Sequence, residues 1–332
     1  MRYEGQSEGE SDVRPKPTEA GAQQGTRLHL LENKRPLQHV TADITYLRTL
    51  IVNVYLIGGA GAWVLVDTGL PYTAGHILRA AEARFGGAPP RAIVLTHAHF
   101  DHVGATAELA EHWDVPVYVH PLELPYVTGS QYPPPDPTVG GGLMSLAAPL
   151  YPRQGARLEG RVRLLPDDGS VPFMPGWVAI HTPGHTAGHI SLFRERDRTL
   201  VAGDAFITTK QESAWAVLQQ RKEIHASPAY FTPDWQRAKD SVRRLAALKP
   251  SLALTGHGLP MRGEELSRGL EALARNFDQA IPKHGRYVGQ AAVMDERGVV
   301  KVPPPRFAPY LLAGLGLATV VGAGFMLLRN RR

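Results

Sequence analysis

The stretch Thr96-His97-Ala98-His99-Phe100-Asp101-His102 decides the interpretation of this 332-residue sequence. It follows the apolar run Ile93-Val94-Leu95, which is typical of a buried strand. On an extended backbone, residues two apart face the same way, so His97 and His99 present their imidazoles together. A turn after the strand then brings Asp101 and His102 beside them. This cluster at the carboxyl end of a strand predicts a metal site.

Three further residues of metal-ligating type occur far along the chain, each after an apolar run and beside glycine. They are His185 in Thr182-Pro183-Gly184-His185-Thr186, Asp204 in Gly203-Asp204-Ala205 and His257 in Thr255-Gly256-His257-Gly258. Glycine lets a loop bend sharply towards a site. Together with the first cluster, these residues are enough to coordinate two metal ions.

The composition limits the chemistry that the chain can perform. It contains no cysteine, which excludes a disulfide framework, a thiolate metal site and a cysteine nucleophile. Its formal net charge of +5 is mild, and no block of Lys and Arg occurs before the last four residues, so we expect no nucleic-acid partner. The 34 glycines and 28 prolines indicate many turns.

The sequence pattern predicts one folded domain between two segments of different character. Residues 1–36 are polar and are expected to form a disordered tail, followed by a folded domain over residues 37–290. Within this domain we expect a hairpin over residues 51–66, helices over residues 73–85, 103–113 and 264–281, and a helix that Thr232 caps. Residues 125–156 form a long loop that is a candidate lid, and residues 291–307 are expected to be a proline-rich linker.

The end of the sequence predicts a membrane anchor. Residues 308–328 carry no charge and precede the basic tail Arg329-Asn330-Arg331-Arg332. A helix of this length spans about 31 Å, which matches the hydrocarbon core of a bilayer. Because no secretory signal precedes the domain, we expect a single C-terminal transmembrane helix with the domain on the cytosolic side. Small residues at 314, 318 and 322 would allow a homodimer through this anchor.

The seven candidate ligands resemble the signature of the metallo-β-lactamase fold superfamily, His-x-His-x-Asp-His followed by a distant His, Asp and His. The resemblance covers roughly residues 41–287. It implies an α+β fold, a four-layer αββα sandwich, with a two-metal cleft at one edge. It also implies the following roles: His97, His99 and His185 bind the first metal, Asp101, His102 and His257 bind the second, Asp204 bridges both, and Asp67 and His189 support the ligands.

The same resemblance implies a hydrolase. Two divalent ions, expected to be Zn(II) with Mn or Fe as alternatives, would share a hydroxide that attacks an ester, thioester or lactone, with Asp101 and Asp204 as the catalytic carboxylates. The glyoxalase II-like and lactonase-like branches fit best, since a bridging Asp204 and the absence of cysteine argue against a β-lactamase. A small, amphiphilic substrate is expected, and its candidate cleft residues are Tyr126, Tyr132, Tyr151 and His225.

Two alternative functions remain open from the sequence. The first is an enzyme resembling the persulfide dioxygenases, which share much of the motif but bind one iron. The second is a membrane-tethered binding protein on a hydrolase scaffold that has lost its activity. The number of metal ions bound per chain distinguishes all three hypotheses.

Overall fold

The computed structural model describes residues 37–154, 156–158 and 160–306. The strands in these ranges are β1 (Gln38–His39), β2 (Ile44–Thr49), β3 (Val52–Gly59), β4 (Ala62–Val66), β5 (Ala92–Val94), β6 (Val117–Val119), β7 (Val162–Leu164), β8 (Trp177–His181), β9 (Ile190–Arg194), β10 (Thr199–Gly203), β11 (Phe206–Ile207), β12 (His225–Ala226), β13 (Leu252–Thr255), β14 (Met261–Arg262), β15 (Val293–Asp295) and β16 (Gly298–Lys301). The α-helices are α1 (Ala74–Phe85), α2 (Phe100–Val103), α3 (Thr106–Trp113), α4 (Leu124–Val127), α5 (Leu143–Ala147), α6 (Ala214–Gln219), α7 (Trp235–Ala247) and α8 (Gly263–Arg275).

Two sheets form the centre of the domain. Strands β1 to β7 make one sheet in chain order, antiparallel from β1 to β4 and parallel from β4 to β7. The second sheet has the order β14-β13-β10-β9-β8, and its neighbours β10 and β13 run parallel. The β3–β4 hairpin forms where the sequence predicts it, because two apolar runs flank a short turn that contains Gly61.

Alternating side chains build the layers. On β4, Val64 and Val66 belong to the core between the two sheets, whereas Trp63 and Leu65 face the opposite way. The Trp63 ring stacks on Phe85 of α1 with a centroid distance of 4.4 Å. Helices α7 and α8 cover the outer face of the second sheet with apolar side chains such as Val242 and Leu266. This helix–sheet–sheet–helix order confirms the expected αββα sandwich.

Three helices depart from the sequence prediction. The helix predicted over residues 264–281 ends at Arg275. The helix predicted to be capped by Thr232 begins at Trp235, because the carboxylate of Asp234 accepts a hydrogen bond from the Arg237 N–H at 3.0 Å. The helix predicted over residues 103–113 begins at Thr106 as α3, and Val103 instead ends the separate helix α2. The His102 carbonyl accepts a bond from the Thr68 N–H at 2.7 Å, which takes it out of the helical pattern.

The segment over residues 291–307, predicted as a linker, contains paired structure. Strands β15 and β16 form an antiparallel hairpin, and Met294 and Val299 pack against the core of the domain. The Ala292 N–H donates to the Pro233 carbonyl at 3.1 Å. The predicted tail over residues 1–36 and the basic residues 329–332 lie outside the described residues.

The prediction of a membrane-anchored protein with a C-terminal transmembrane helix is corrected by the structure. Within the described ranges, no helix is long and apolar enough to cross a membrane. The longest, α7 and α8, have 13 residues each. Such helices reach about 20 Å, against a bilayer core of about 30 Å. The span predicted over residues 308–328, with the homodimer contact expected there, lies outside the described residues.

Candidate metal centre

The structure brings all seven candidate ligands together. Their ligand atoms form three groups, and within each group the atoms lie within 4.8 Å of one another: His97 with His99 and His185, His97 with His102 and Asp204, and Asp101 with His102 and His257. None of these side chains belongs to a residue more than 7% exposed. The groups share His97 and His102, so they form one continuous buried cluster.

Loops and a short helix at strand ends position this cluster. His97 and His99 follow β5, and Asp101 and His102 lie on α2. Asp204 and His257 follow the parallel neighbours β10 and β13, whose carboxyl ends meet at the same edge of the second sheet. A Cβ at Gly256 would lie 2.1 Å from the Asp204 Oδ1, so only glycine permits this approach.

Asp204 occupies the middle of the cluster. Its Oδ2 lies 3.1 Å from the His257 Nε2 and 3.5 Å from the His185 Nε2. Its Oδ1 lies 3.7 Å from the His102 Nε2. The Asp101 Oδ2 lies 3.5 Å from the same nitrogen of His257. The Asp204 carboxylate therefore lies beside an imidazole of α2 and beside the imidazoles of the two later loops.

Buried polar atoms without partners test whether the cluster suits a cation. Among the described residues, His97 Nε2, His102 Nε2 and Asp204 Oδ1 are buried and have no hydrogen-bond partner. Leaving such an atom unsatisfied costs about 1–3 kcal/mol. Imidazole nitrogens and carboxylate oxygens are ligands for Zn(II), and they also bind Mn and Fe. The donor set therefore fits a divalent cation, and these seven residues are the ones that would hold it.

The protonation states of the first group of histidines and of Asp204 favour metal binding. Burial and the neighbouring imidazoles hold the pKa values of His97 and His99 well below the usual value. Burial also lowers the pKa of His185 to about 3. Burial opposes ionisation of Asp204, but His257 and His102 hold its pKa well below that of a free carboxyl. Neutral imidazoles and an ionised carboxylate are the forms that bind metal. Against burial, Asp67 and Asp204 raise the pKa of His102, and Asp204 raises the pKa of His257, so a bound cation would displace a proton from these two imidazoles.

Two residues contact the ligands from outside the cluster. The Asp67 carboxylate accepts hydrogen bonds from the Thr96 N–H and hydroxyl and from the His102 Nδ1, each at 2.8 Å. The His189 Nε2 accepts the Asp204 N–H at 2.9 Å, which leaves its Nδ1 to donate to the Thr182 hydroxyl at 2.8 Å. Such contacts orient ligands and fix imidazole tautomers.

Two further residues, Glu123 and Asn53, support the ligands but were not predicted from the sequence. Glu123, only 1% exposed, accepts bonds from the loops that carry the first group of histidines, and burial raises its pKa to about 7 against those hydrogen bonds. The Asn53 amide donates to the carbonyls of Thr255 and Gly258 at 2.9 and 2.6 Å, on either side of His257. One local feature of the sequence could have identified Glu123, because it is an acidic residue within the apolar run of residues 121–127.

The candidate cleft residues divide into two pairs. The Tyr132 ring lies 4.5 Å from the His99 ring, and Tyr151 contacts Phe100, the neighbour of Asp101, at 5.6 Å. Tyr126 instead packs in the hydrophobic core, where burial raises the pKa of its hydroxyl. His225 lies on β12 with its Nε2 3.5 Å from a Glu223 carboxylate oxygen.

Phe231 completes an aromatic cover, which we define as Tyr132, Tyr151 and Phe231. The Phe231 ring lies 4.7 Å from the His99 ring and 6.2 Å from the Tyr151 ring. A small cavity beside His99 and His185 is lined by Pro133, Pro134, Phe231, Pro233 and Tyr287. The surroundings of the first group of histidines are therefore mainly apolar.

The fold and the site define the class of protein. Residues 47–257 match the sequence profile of the metallo-beta-lactamase superfamily, and the chain belongs to this superfamily. The predicted membership is confirmed. The chain is a metallo-hydrolase of this superfamily, since its curated relatives below are named metallo-hydrolases.

Individual proteins of this superfamily share much of the sequence or the fold. The "Probable metallo-hydrolase YflN" of Bacillus subtilis (strain 168) is 51% identical over 236 residues, covering 70% of this chain and 89% of that protein. The "Probable metallo-hydrolase YybB" of the same organism is 32% identical over 195 residues, covering 58% and 74%. A solved B3 metallo-beta-lactamase "with an Active Site Glutamic Acid" has a TM-score of 0.55 at 19% identity, covering 80% of this chain and 96% of its own. That likeness shows the fold alone.

Proposed function

We propose that this protein is a dinuclear metal-dependent hydrolase that cleaves the ester, thioester or lactone bond of a small molecule with an apolar acyl group. The observation that carries the proposal is the position of Asp204, whose Oδ2 lies 3.5 Å from His185 and 3.1 Å from His257. One carboxylate between two ligand groups suits a bridging role. Two divalent cations held there, which we propose to be Zn(II), would activate water and polarise the substrate carbonyl.

Asp101 is the proposed proton carrier. It is buried like the other six residues, although at 7% it is the most exposed of them. Burial raises the pKa of its carboxyl, against the charges of His102 and His257. That shift belongs to the metal-free protein, and the proposed role rests on the position of the carboxylate beside His257, where it could take a proton from water and return it to the leaving group.

The aromatic cover keeps bulk water away from the first group of histidines. Tyr132 and Phe231 both pack on His99, and the Tyr132 hydroxyl is held by the Pro152 carbonyl. Exclusion of water strengthens the electrostatic interactions within a site. Tyr132 and Phe231 are themselves buried, whereas Tyr151 is partly exposed and is the ring of the cover that we propose to contact the substrate.

An apolar surface adjoins this cover and supports the choice of an acyl substrate. We define the apolar rim as the exposed side chains of α5, α6 and the turn after α5: Leu143, Leu146, Leu150, Trp215 and Leu218. The two helices adjoin, since the Met144 N–H donates to the Glu212 carbonyl at 3.3 Å. Leu150 immediately precedes Tyr151 of the aromatic cover. The rim therefore adjoins the aromatic cover along the chain, and we assign it to the acyl chain.

The test begins with the metal content of the full chain, measured by mass spectrometry. We expect about two zinc ions per chain. Chromogenic esters, thioesters and lactones of increasing acyl length should then be hydrolysed with kcat/KM rising with length, and a chromogenic cephalosporin should not be cleaved. The pair of variants Leu146→Ser and Trp215→Ser should flatten the length dependence, whereas Val300→Ser, an exposed apolar residue of β16, should not.

The other hypotheses predict different results. One iron per chain with no second metal, together with oxidation of a persulfide, would establish the dioxygenase instead. A chain that takes up no metal after reconstitution would be a binding protein. Cleavage of the cephalosporin with no activity on acyl substrates would overturn the proposed substrate class.

A further inference from the structure

Glu123 connects the two loops that supply His97, His99 and His185. Its Oε2 accepts the Ala98 N–H at 2.8 Å, between the two histidines of the first loop. Its Oε1 accepts the Thr186 hydroxyl at 2.6 Å and the Gly188 N–H at 2.8 Å, in the loop that carries His185. Each carboxylate oxygen therefore holds a different loop.

The surroundings leave this carboxylate little freedom. Glu123 is 1% exposed, and a Cβ at Gly188 would lie 2.9 Å from its side chain. It belongs to the 3-10 turn Pro121–Glu123, which His120 begins by accepting the Leu122 N–H. A buried carboxylate with three donors is costly to move, because each donor would lose its partner. The Glu123 carboxylate thus joins the two loops from outside, beside the Ile190 N–H bond to the Thr96 carbonyl at 2.9 Å and the direct contact between the His99 and His185 rings.

We propose that Glu123 is a positioning residue that sets the spacing of His97, His99 and His185 and thereby the affinity of this group for a metal ion. The inference rests on the metal-binding part of the proposed function. Asp67 contacts Thr96 and His102, His189 contacts Asp204, and Asn53 flanks His257. Of these four supporting side chains, Glu123 is therefore the one that joins the His97–His99 loop to the loop that carries His185. Outer contacts of this kind change metal affinity by about 10–100-fold.

The variant Glu123→Gln separates the two halves of this contact. With its amide oxygen at the place of Oε1, the glutamine still accepts from Thr186 and Gly188, but its amide NH2 meets the Ala98 N–H, which is also a donor. The connection between the loops is lost while the volume is kept. Thr186→Val removes one of two donors to Oε1, and its effect should be smaller because the Gly188 N–H remains.

Asp136→Asn is a matched control. Asp136 is a buried carboxylate that also accepts three bonds from two segments, from the Thr138 N–H and hydroxyl and from the Arg286 N–H. Those segments carry none of the seven ligands. Loss of general stability should therefore affect this variant and Glu123→Gln alike, while a change in metal affinity should affect only Glu123→Gln.

The experiment titrates the metal-free full chain with Co(II), followed by visible absorption and calorimetry, with circular dichroism as the check on folding. In Glu123→Gln we expect one of two binding phases to weaken by about 10–100-fold, with altered Co(II) absorption bands, and the other phase to change little. Unchanged phases, or equal weakening of both phases, would overturn the inference. If the wild-type chain binds one Co(II), the dinuclear proposal fails, and the affinity of that ion still tests Glu123. A wild-type chain that binds no Co(II) overturns both.

Discussion

The His102 imidazole donates from its Nδ1 to the Asp67 Oδ2 at 2.8 Å, and both residues are almost fully buried. Asp67 lies directly after β4 in a left-handed backbone conformation, with φ of 59°, which is uncommon for a residue other than glycine. The same carboxylate holds Thr96 at the end of the next strand. A carboxylate at Nδ1 fixes the imidazole tautomer that leaves Nε2 available as a ligand.

Asp67→Asn should weaken metal binding by about 10–100-fold, because the variant loses the negative charge that raises the basicity of the His102 imidazole. Competition with a chromophoric chelator measures the affinity directly. Asp168→Asn is the control, since Asp168 is exposed and accepts a hydrogen bond from the neighbouring Ser170 N–H at 2.8 Å. An unchanged affinity in Asp67→Asn would contradict the supporting role.

Asp204→Asn should lower the metal content from about two ions per chain to one or none. A neutral amide offers one oxygen in place of the two that contact His102 and His257. Mass spectrometry measures the metal content, and full metal content with full activity in Asp204→Asn would refute the bridging role.

Asp101→Asn should keep the ion of the His97 group, of which Asp101 is not a member, and should lower kcat by about 10²–10⁴-fold. Steady-state kinetics measures this loss.

The candidate site was predictable where chemistry follows local spacing. His97 and His99 are two apart after a strand, and Asp204 and His257 each follow an apolar run beside glycine, so their convergence could be expected from topology. The contacts of Glu123 reach residues 25 and 65 positions away along the chain, and no local pattern encodes them. Phe231 likewise meets His99 only through the tertiary fold.

The same limit applies to the fold. The sequence predicts the strands and the αββα layers because alternation and apolar runs follow local periodicity. It places Tyr126 and Tyr132 in one loop, but Tyr126 lies on α4 and faces the core, which depends on packing between distant segments. Capping of α7 by Asp234 rather than Thr232 also depends on three-dimensional geometry, since both residue types are good caps.

Acid should destabilise the metal-free protein through the stacked pair His120 and His181. Their rings lie 4.3 Å apart at an angle of 15°. Burial and the neighbouring His181 lower the pKa of His120 to about 4, against the charge of Asp167. Burial lowers the pKa of His181 as well, against its bond to the Ala187 carbonyl and with Arg237 and Arg244 nearby.

Because these folded-state pKa values lie below the unfolded value of about 6.5, the unfolded chain takes up protons first. The stabilisation is therefore complete above about pH 6.5 and is lost as the pH falls towards 4. In the variant His120→Asn, the asparagine side chain can still accept the Leu122 N–H. The melting temperature of this variant should fall less between pH 7 and pH 5 than that of the wild type. Equal losses would show that other groups govern acid unfolding.

Trp63→Ala should lower the free energy of unfolding by about 3–5 kcal/mol, because it leaves a large cavity in the core. Trp63 is 1% exposed, stacks on Phe85 and donates from its indole N–H to the Ala88 carbonyl at 2.9 Å. Trp215→Ala is the matched control, since that side chain is 67% exposed and its loss should change stability by less than about 0.5 kcal/mol. Urea denaturation followed by circular dichroism measures both, and similar losses would contradict the layer assignment.

The apolar rim and the seven ligands are supported by different parts of the chain. The ligands follow strands and are held by Asp67, His189 and Asn53, whereas the rim lies on the short helices α5 and α6 and the turn after α5. Under the proposed function, exchange of the rim helices for those of a relative should change the preferred acyl group and leave the metal content unchanged. The specificity of such an enzyme could then evolve on these short helices without any change to its metal ligands.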